Sequence, residues 1–260
     1  MSGHRKFPIT AALVVLVLLL LYLSVVPAHP AEELTPKQIL DKIDDMFRGN
    51  SSHGTMTMHI VTANWERSLS LEFWSEGKDK SLIRILAPQK EKGTATLRVD
   101  NEIWNFLPKV KRVIKLPSSM MSASWMGSHF SNDDLVKESR MTRDYTFEIT
   151  FQGNREGQDI IEITCIPKPD APVVWGKVVE VIRKSDYLPI RGEYYDEDMK
   201  LARTLIFTDI GPLGDRTLPR KMTMQPENKP NEKTEMTYHQ LDFDISLPSD
   251  TFSLRNLQQQ

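Results

Sequence analysis

Two histidines, His53 and His59, stand either side of Met56 and Met58 in the stretch "SSHGTMTMHI". Imidazole and thioether together suit copper. The alternation of a β-strand, however, puts His59 on the face opposite both methionines, and no second ligand cluster accompanies them. Of the other histidines, His4 and His29 belong to the N-terminal leader region, and His129 and His239 stand alone as surface or hydrogen-bonded side chains. The chain has no G-x-S-x-G elbow, no H-E-x-x-H pair and no phosphate-cradling glycine loop. Its lone Cys165 sits inward on a strand, where a thiol packs as a small inert hydrophobe, and it excludes an internal disulfide. The acidic "YYDEDMK" (Tyr194–Lys200) reads as a solvated hairpin tip. The basic "PKVKR" (Pro108–Arg112) reads as another, and is also a candidate docking surface for an acidic partner or a lipid headgroup. The residues point to a protein that is not an enzyme and takes no metal or cofactor.

A different kind of chemistry is concentrated in "LPSSMMSASWMGSHF" (Leu116–Phe130), where three methionines and a tryptophan lie among serines without a charge. Pro117 ends the strand that includes Val113 and Ile114. Ser118 starts a predicted short helix with Met121 and Trp125 one turn apart and Gly127 as its stop. A second short helix follows, with Ser131 and Asp134 spaced as a capping box ahead of Leu135 and Val136. Methionine, unbranched and polarisable, suits a surface that adapts to apolar partners of different shape. Two readings stand: Met120, Met121, Trp125 and Met126 plug the end of a barrel with protein, or they cover something the protein carries.

The elements that must position this stretch are mostly strands. One amphipathic helix precedes them, capped by Thr35 with Pro36 in its first turn and Gly49 at its exit; Ile39, Leu40, Ile43, Met46 and Phe47 form its apolar stripe. Period-2 alternation then recurs. Met56, Met58 and Ile60 form one inward row, and Leu69, Leu71 and Phe73 a second. Others are Ala95, Leu97 and Val99; Tyr145, Phe147, Ile149 and Phe151; and Ile161, Ile163 and Cys165. Further strands are predicted at 82–87, 103–107, 178–183, 190–194, 202–208, 220–224 and 235–243, with turn residues between them. So many one-faced antiparallel strands bury their apolar side only by curling into a barrel or half-barrel, a mainly β architecture in one domain.

The N-terminus sets the expected compartment. His4, Arg5 and Lys6 precede the apolar "AALVVLVLLLLYLSVV", and "VPAHPA" offers small residues at Ala28 and Ala31. That is the layout of a secretory signal over residues 1–31, which implies the periplasm, with the chain from residue 32 onward as the exported domain. The run is nearly long enough to span a bilayer, so an inner-membrane anchor facing the periplasm is the alternative. With 33 basic against 35 acidic side chains, and the balance more negative without the leader, neither nucleic acid nor an anionic lipid surface is an expected partner for the chain's overall charge.

The motif "VDNEIWNFLPKVKRV" (Val99–Val113) resembles the Asp-x-x-x-Trp-x-Phe/Tyr-x-Pro hairpin of the LolA/LolB-like periplasmic lipoprotein carriers, through Asp100, Trp104, Phe106 and Pro108. "LPSDTFSL" (Leu247–Leu254) is similar to the family's closing pattern, with Phe252 in place. "DYLPIRGEYYDED", "RTLIFTDIGPLGDRTLPRKMTM" and "EKTEMTYHQLDFD" resemble the longer, outer-membrane lipoprotein-sorting branch associated with exporters of the resistance-nodulation-division (RND) type. The resemblance covers nearly all of the chain after the leader. It implies a single antiparallel sheet curled into an unclosed half-barrel, with the N-terminal helix and short helices over its concave face. It further implies a monomeric carrier of lipoprotein acyl chains or another lipid, with an inner-membrane exporter of ABC or RND type as a partner. The cavity wall would comprise Met56, Met58, Leu69, Leu71, Phe73, Leu97, Val99, Trp104 and Phe106, and the lid Met120, Met121, Trp125, Met126 and Phe130. The alternative is a non-transporting accessory module of an export system, its β-shell filled by its own side chains. One departure stands out: the carriers hold their lid with an arginine after the tryptophan of an early strand, whereas here "EFWSEGKDK" offers only Lys78 or Lys80.

Overall fold

The N-terminal helix α1 (Pro36–Arg48) starts where its end groups are answered. The Thr35 hydroxyl accepts the Gln38 N–H at 3.3 Å, and Gln38 Oε1 accepts the Thr35 N–H at 2.8 Å. This reciprocal cap satisfies two donors that the first turn otherwise leaves open. Gly49, at φ 60°, ends it in the left-handed region that glycine tolerates without cost. Ile39 and Leu40 are its buried anchors.

The computed structural model describes residues 33–137, 141–171 and 173–259, so the predicted signal or anchor over residues 1–31 lies outside the described residues. Thr35–Gln260 forms one compact unit. Its strands are β1 (Ser51–Val61), β2 (Glu66–Glu76), β3 (Lys80–Ala87), β4 (Ala95–Val99), β5 (Glu102–Leu107), β6 (Arg112–Lys115) and β7 (Tyr145–Arg155). They continue with β8 (Gln158–Pro167), β9 (Lys177–Arg183), β10 (Pro189–Tyr195), β11 (Leu201–Leu213), β12 (Arg216–Pro226) and β13 (Lys233–Phe243). All belong to one antiparallel sheet in the order β6-β5-β4-β3-β2-β1-β13-β12-β11-β10-β9-β8-β7. The sheet is not closed into a barrel. Register shifts at Thr55/Met56, Ser70/Leu71, Ile149/Phe151 and Tyr194/Tyr195 mark bulges, which bend strands and deepen the curl.

This order has one topological consequence. The first and last strands pair at a central seam, while β6 and β7, consecutive in sequence, form the two opposite edges. The chain between them, Leu116–Asp144, therefore leaves one rim and re-enters at the other. It comprises a 3-10 turn at Ser118–Met120, another at Trp125–Gly127, and the short helices α2 (Asn132–Lys137) and α3 (Met141–Asp144). The predicted helix from Ser118 to Gly127 is thus two separate turns. Ser124 is non-helical at ψ 124°, and the Trp125 N–H turns to the Phe130 carbonyl at 2.8 Å, which interrupts a helix. The Ser131–Asp134 cap is present, each residue's side chain accepting the other's N–H at 2.7 and 3.2 Å.

Both faces of the sheet are dry in places. The concave core joins Met56, Met58, Ile60, Leu69, Leu71, Ile83 and Ile85 with Leu205, Met222, Met224 and Met236, under Trp125 and Phe130. On the other face, Leu82, Ala95, Leu97 and Phe106 pack with Trp74, Val99 and Trp104. They are covered by Phe252 and by Leu257 of the terminal helix α4 (Leu254–Leu257).

Candidate functional site

The concave face encloses a cavity of 210 Å³. Its floor comes from the seam strands: Met56 of β1, Phe73 of β2, Met236 and Tyr238 of β13, Met222 of β12, and Leu205 and Phe207 of β11. Leu40, Ile43 and Phe47 of α1 close one end, and Trp125, Phe130, Leu135 and Met141 of the crossing segment form the cover. Three aromatic contacts stiffen the wall. Phe47 stacks on Tyr238 at 6.1 Å and tilts against Phe207 at 6.3 Å, while Phe73 meets Tyr238 edge-on at 5.7 Å. Gly54 permits the last, because a Cβ there would stand 2.8 Å from the Phe73 ring.

The described part of the cover is fastened at several points. At the β4 side, the Trp125 indole N–H donates to Thr96 Oγ1 at 3.2 Å, and that hydroxyl donates to Asn105 at 2.8 Å. From β2, the Arg67 guanidinium donates to the Met126 carbonyl and lies 3.2 Å from Glu91. Met126 needs that hold: its φ of 50° is left-handed, a conformation costing a non-glycine residue about 1–2 kcal/mol. From β13, Thr234 accepts the His129 N–H at 3.0 Å, while the ring Nε2 of His129 lies 3.1 Å from Glu232. From β11, Arg203 forks onto Asp134 at 2.5 and 2.8 Å and reaches the His129 carbonyl at 3.2 Å. Its guanidinium lies over Trp175 and Tyr194, at 4.4 and 4.7 Å from the ring centres. Finally Thr142 donates to Asp41 of α1 at 3.1 Å.

The polar rim by α1 carries its own charge balance. Lys78 lies 2.9 Å from Asp44 and 3.4 Å from Asp41, and Arg48 lies 2.8 Å from Asp44. Burial pulls the Lys78 ammonium down, but the three aspartates of α1 outweigh it and leave it raised. Burial likewise pushes the Asp41 carboxyl up, and is outweighed by Lys37, Lys78 and Thr142, which leave it lowered. Lys78 thus fastens α1, and Lys80 pairs with Glu76; the arginines on the cover are Arg67 and Arg203.

The expected wall residues divide. Met56 and Phe73 line the cavity. Met58, Leu69 and Leu71 belong to the same concave core, fully buried beside the cavity wall. Leu97, Val99, Trp104 and Phe106 lie on the opposite face, beneath the C-terminal segment. The register shows why: Ile83 of the concave core pairs with Thr96, so Leu97 beside it points the other way. Of the expected cover, Trp125 and Phe130 line the cavity and Met126 packs on the concave core, whereas Met120 is exposed and Met121 half-buried. The far wall, from β11 to β13, was not picked out from sequence, although "KMTM" and "EMTYH" alternate as an inward row does.

The histidines take simpler roles. His53 stacks on Trp74 and lies 2.9 Å from Glu72, and His59 lies 2.7 Å from Glu66. Among the described residues no group of three or more His, Cys, Asp or Glu is placed to hold a metal ion. Burial pushes the Cys165 thiol well up, so it stays protonated.

A family model described as "Uncharacterized protein"-like matches residues 77–259, and no curated protein matches the chain in sequence. A crystal structure of an outer membrane lipoprotein-sorting protein domain from Vibrio parahaemolyticus superposes with a TM-score of 0.74 at 25% identity, over 86% of this chain and 98% of that one. A DUF1329 family protein from Desulfovibrio piger gives 0.77 at 22% identity, over 85% and 97%. A LolA superfamily protein from Nitrosomonas europaea gives 0.73 at 20% identity, over 86% and 100%. The model spans most of the chain, which therefore belongs to the family that it describes, and its fold is that of the lipoprotein-sorting domain, the DUF1329 protein and the LolA superfamily protein.

Proposed function

We propose that the protein is a periplasmic carrier that shelters an acyl chain of a lipoprotein or another lipid under its crossing segment. The observation that carries this reading is the cavity of 210 Å³, whose wall is mostly apolar although Asp41, Asp44, Arg48, Asp134 and Glu180 also line it. An acyl chain in water costs about 0.8 kcal/mol per exposed methylene, so a mostly apolar wall of this kind favours its uptake. An apolar cavity of about 150 Å³ takes up benzene, so 210 Å³ is large enough for one segment of a chain. The rest of a chain requires Met56, Met141, Met222 and Met236 to change rotamer, or the cover to lift; unbranched methionines do the first at low cost. Unloading needs an acceptor that binds the chain better than the cavity does. An inner-membrane exporter of ABC or RND type is the donor that the family resemblance suggests. No reaction or cofactor enters this cycle.

The test is lipid analysis of the protein isolated from the cell envelope, by native mass spectrometry and extraction. Lipid is expected on the unmodified chain and is expected to be lost from Met222→Trp and Met236→Trp, which fill the cavity, with little change in thermal midpoint. Absence of any lipid on the unmodified chain would favour the accessory-module reading. Sequencing the N-terminus of the same material decides between a cleaved signal and a retained anchor.

A further inference from the structure

The β5–β6 hairpin ends in a four-residue tip, Pro108–Lys111, closed by the Leu107–Arg112 pair. Lys111 is left-handed at φ 52°, and the Val110 N–H reaches the Leu107 carbonyl at 3.3 Å. The tip therefore holds its side chains outward on a defined turn. Val110 is 59% exposed, Leu107 37% and Ile114 43%. Lys109, Lys111 and Arg112 stand among them, all exposed, and no acidic side chain among the described residues pairs with any of the three. Elsewhere the described surface is laced with ion pairs, on a chain of net charge −2. Register places Ile114 opposite Asn105, and Asn105 accepts the Thr96 hydroxyl that holds Trp125. Leu107 and Ile114 thus lie on the same side of the sheet as the cover.

Three uncompensated cations around apolar side chains on a projecting tip match one surface chemistry: anionic headgroups above acyl chains. We propose that this hairpin docks the protein on an anionic lipid bilayer, with Val110 and Leu107 entering the headgroup boundary and Lys109, Lys111 and Arg112 meeting phosphates. Docking there brings the rim from which the crossing segment departs up to the membrane. The inference concerns a bare membrane and stands apart from the carrier reading, because it is measured without cargo.

Cys165 is the only cysteine and is buried, so Val110→Cys offers a single accessible thiol for an environment-sensitive dye. The labelled protein, isolated from the envelope, is mixed with vesicles of phosphatidylglycerol and phosphatidylcholine, or of phosphatidylcholine alone. The dye emission is expected to shift to the blue with the anionic vesicles only, and the shift to fade with added salt. Combining Lys109→Gln, Lys111→Gln and Arg112→Gln is expected to weaken vesicle binding roughly a hundredfold, with the far-ultraviolet spectrum and thermal midpoint unchanged. In unlabelled chains, Val110→Asp is expected to reduce sedimentation with the anionic vesicles. An equal response to both vesicle types, a response that survives the triple change, or a response to polyglutamate in place of vesicles would each overturn the proposal.

Discussion

Trp125 is 1% exposed, and its indole N–H has Thr96 Oγ1 as its acceptor. Packing and hydrogen bonding can therefore be separated at this position. Trp125→Ala is expected to cost about 3–5 kcal/mol as the cavity enlarges, and Trp125→Phe about 1 kcal/mol, the net worth of one hydrogen bond plus a small loss of volume. Denaturant midpoints at constant slope test the pair; equal losses would mean that the hydrogen bond, not the ring, holds the cover. Arg203 differs in kind, since its side chain is 8% exposed and its fork meets a half-hidden carboxylate. Arg203→Met takes the forked cation from Asp134 and is expected to destabilise by about 3–5 kcal/mol, with Arg203→Lys restoring only part, because an ammonium cannot fork. Gly54→Ala is the steric counterpart: the added methyl would stand 2.3 Å from the Gln240 backbone carbonyl and 2.8 Å from the Phe73 ring, so the β1–β13 seam must shift and a lowered thermal midpoint is expected.

Among the elements, the link between the cover and the β12–β13 connection carries a carboxyl that titrates below its ordinary range. The hydrogen bond with His129, foremost, holds the Glu232 carboxyl below the usual carboxylate range. A carboxyl depressed in the folded chain contributes stability above its unfolded pKa, near 4.3, and that contribution disappears as pH falls through the lower folded value. The thermal midpoint is therefore expected to fall on acidification below about pH 4.3, and Glu232→Gln to remove part of that slope while leaving the neutral-pH fold intact; a parallel slope in the variant would exclude this link. Much of the element plan was legible in sequence, because β1 and β2 alternate cleanly between a polar face and a face that carries the core. The same alternation misplaced Leu97, Val99, Trp104 and Phe106, since β4 and β5 are dry on both sides once the C-terminal segment folds over them. Thr96, which reads as a solvent-facing position, instead serves Trp125. The far wall was hidden for another reason: Met236 stands beside Met58 only because the last strand pairs with the first, and no local pattern announces so distant a partner.

For the whole molecule, uptake of an apolar guest must appear as added stability, because a ligand that binds only the folded state shifts the equilibrium by mass action. A long-chain fatty acid in hundredfold excess over its dissociation constant is expected to stabilise the protein by about 2.7 kcal/mol, read as a raised thermal midpoint. Met222→Trp is expected to abolish the rise. An unchanged midpoint in the unmodified chain, with the fatty acid shown to be in excess, would count against a receptive interior.

The crossing segment is anchored at both rims of the open sheet, which gives its movement a constraint that a one-ended lid lacks. A bridge pinned at both abutments cannot swing aside. It rises only on slack released within its own span, where the two tight 3-10 turns store it, or when its abutments approach each other. On the carrier reading, opening the entrance and flexing the whole shell would then be one motion, and anything that stiffens the outermost strands would also slow the passage of a guest.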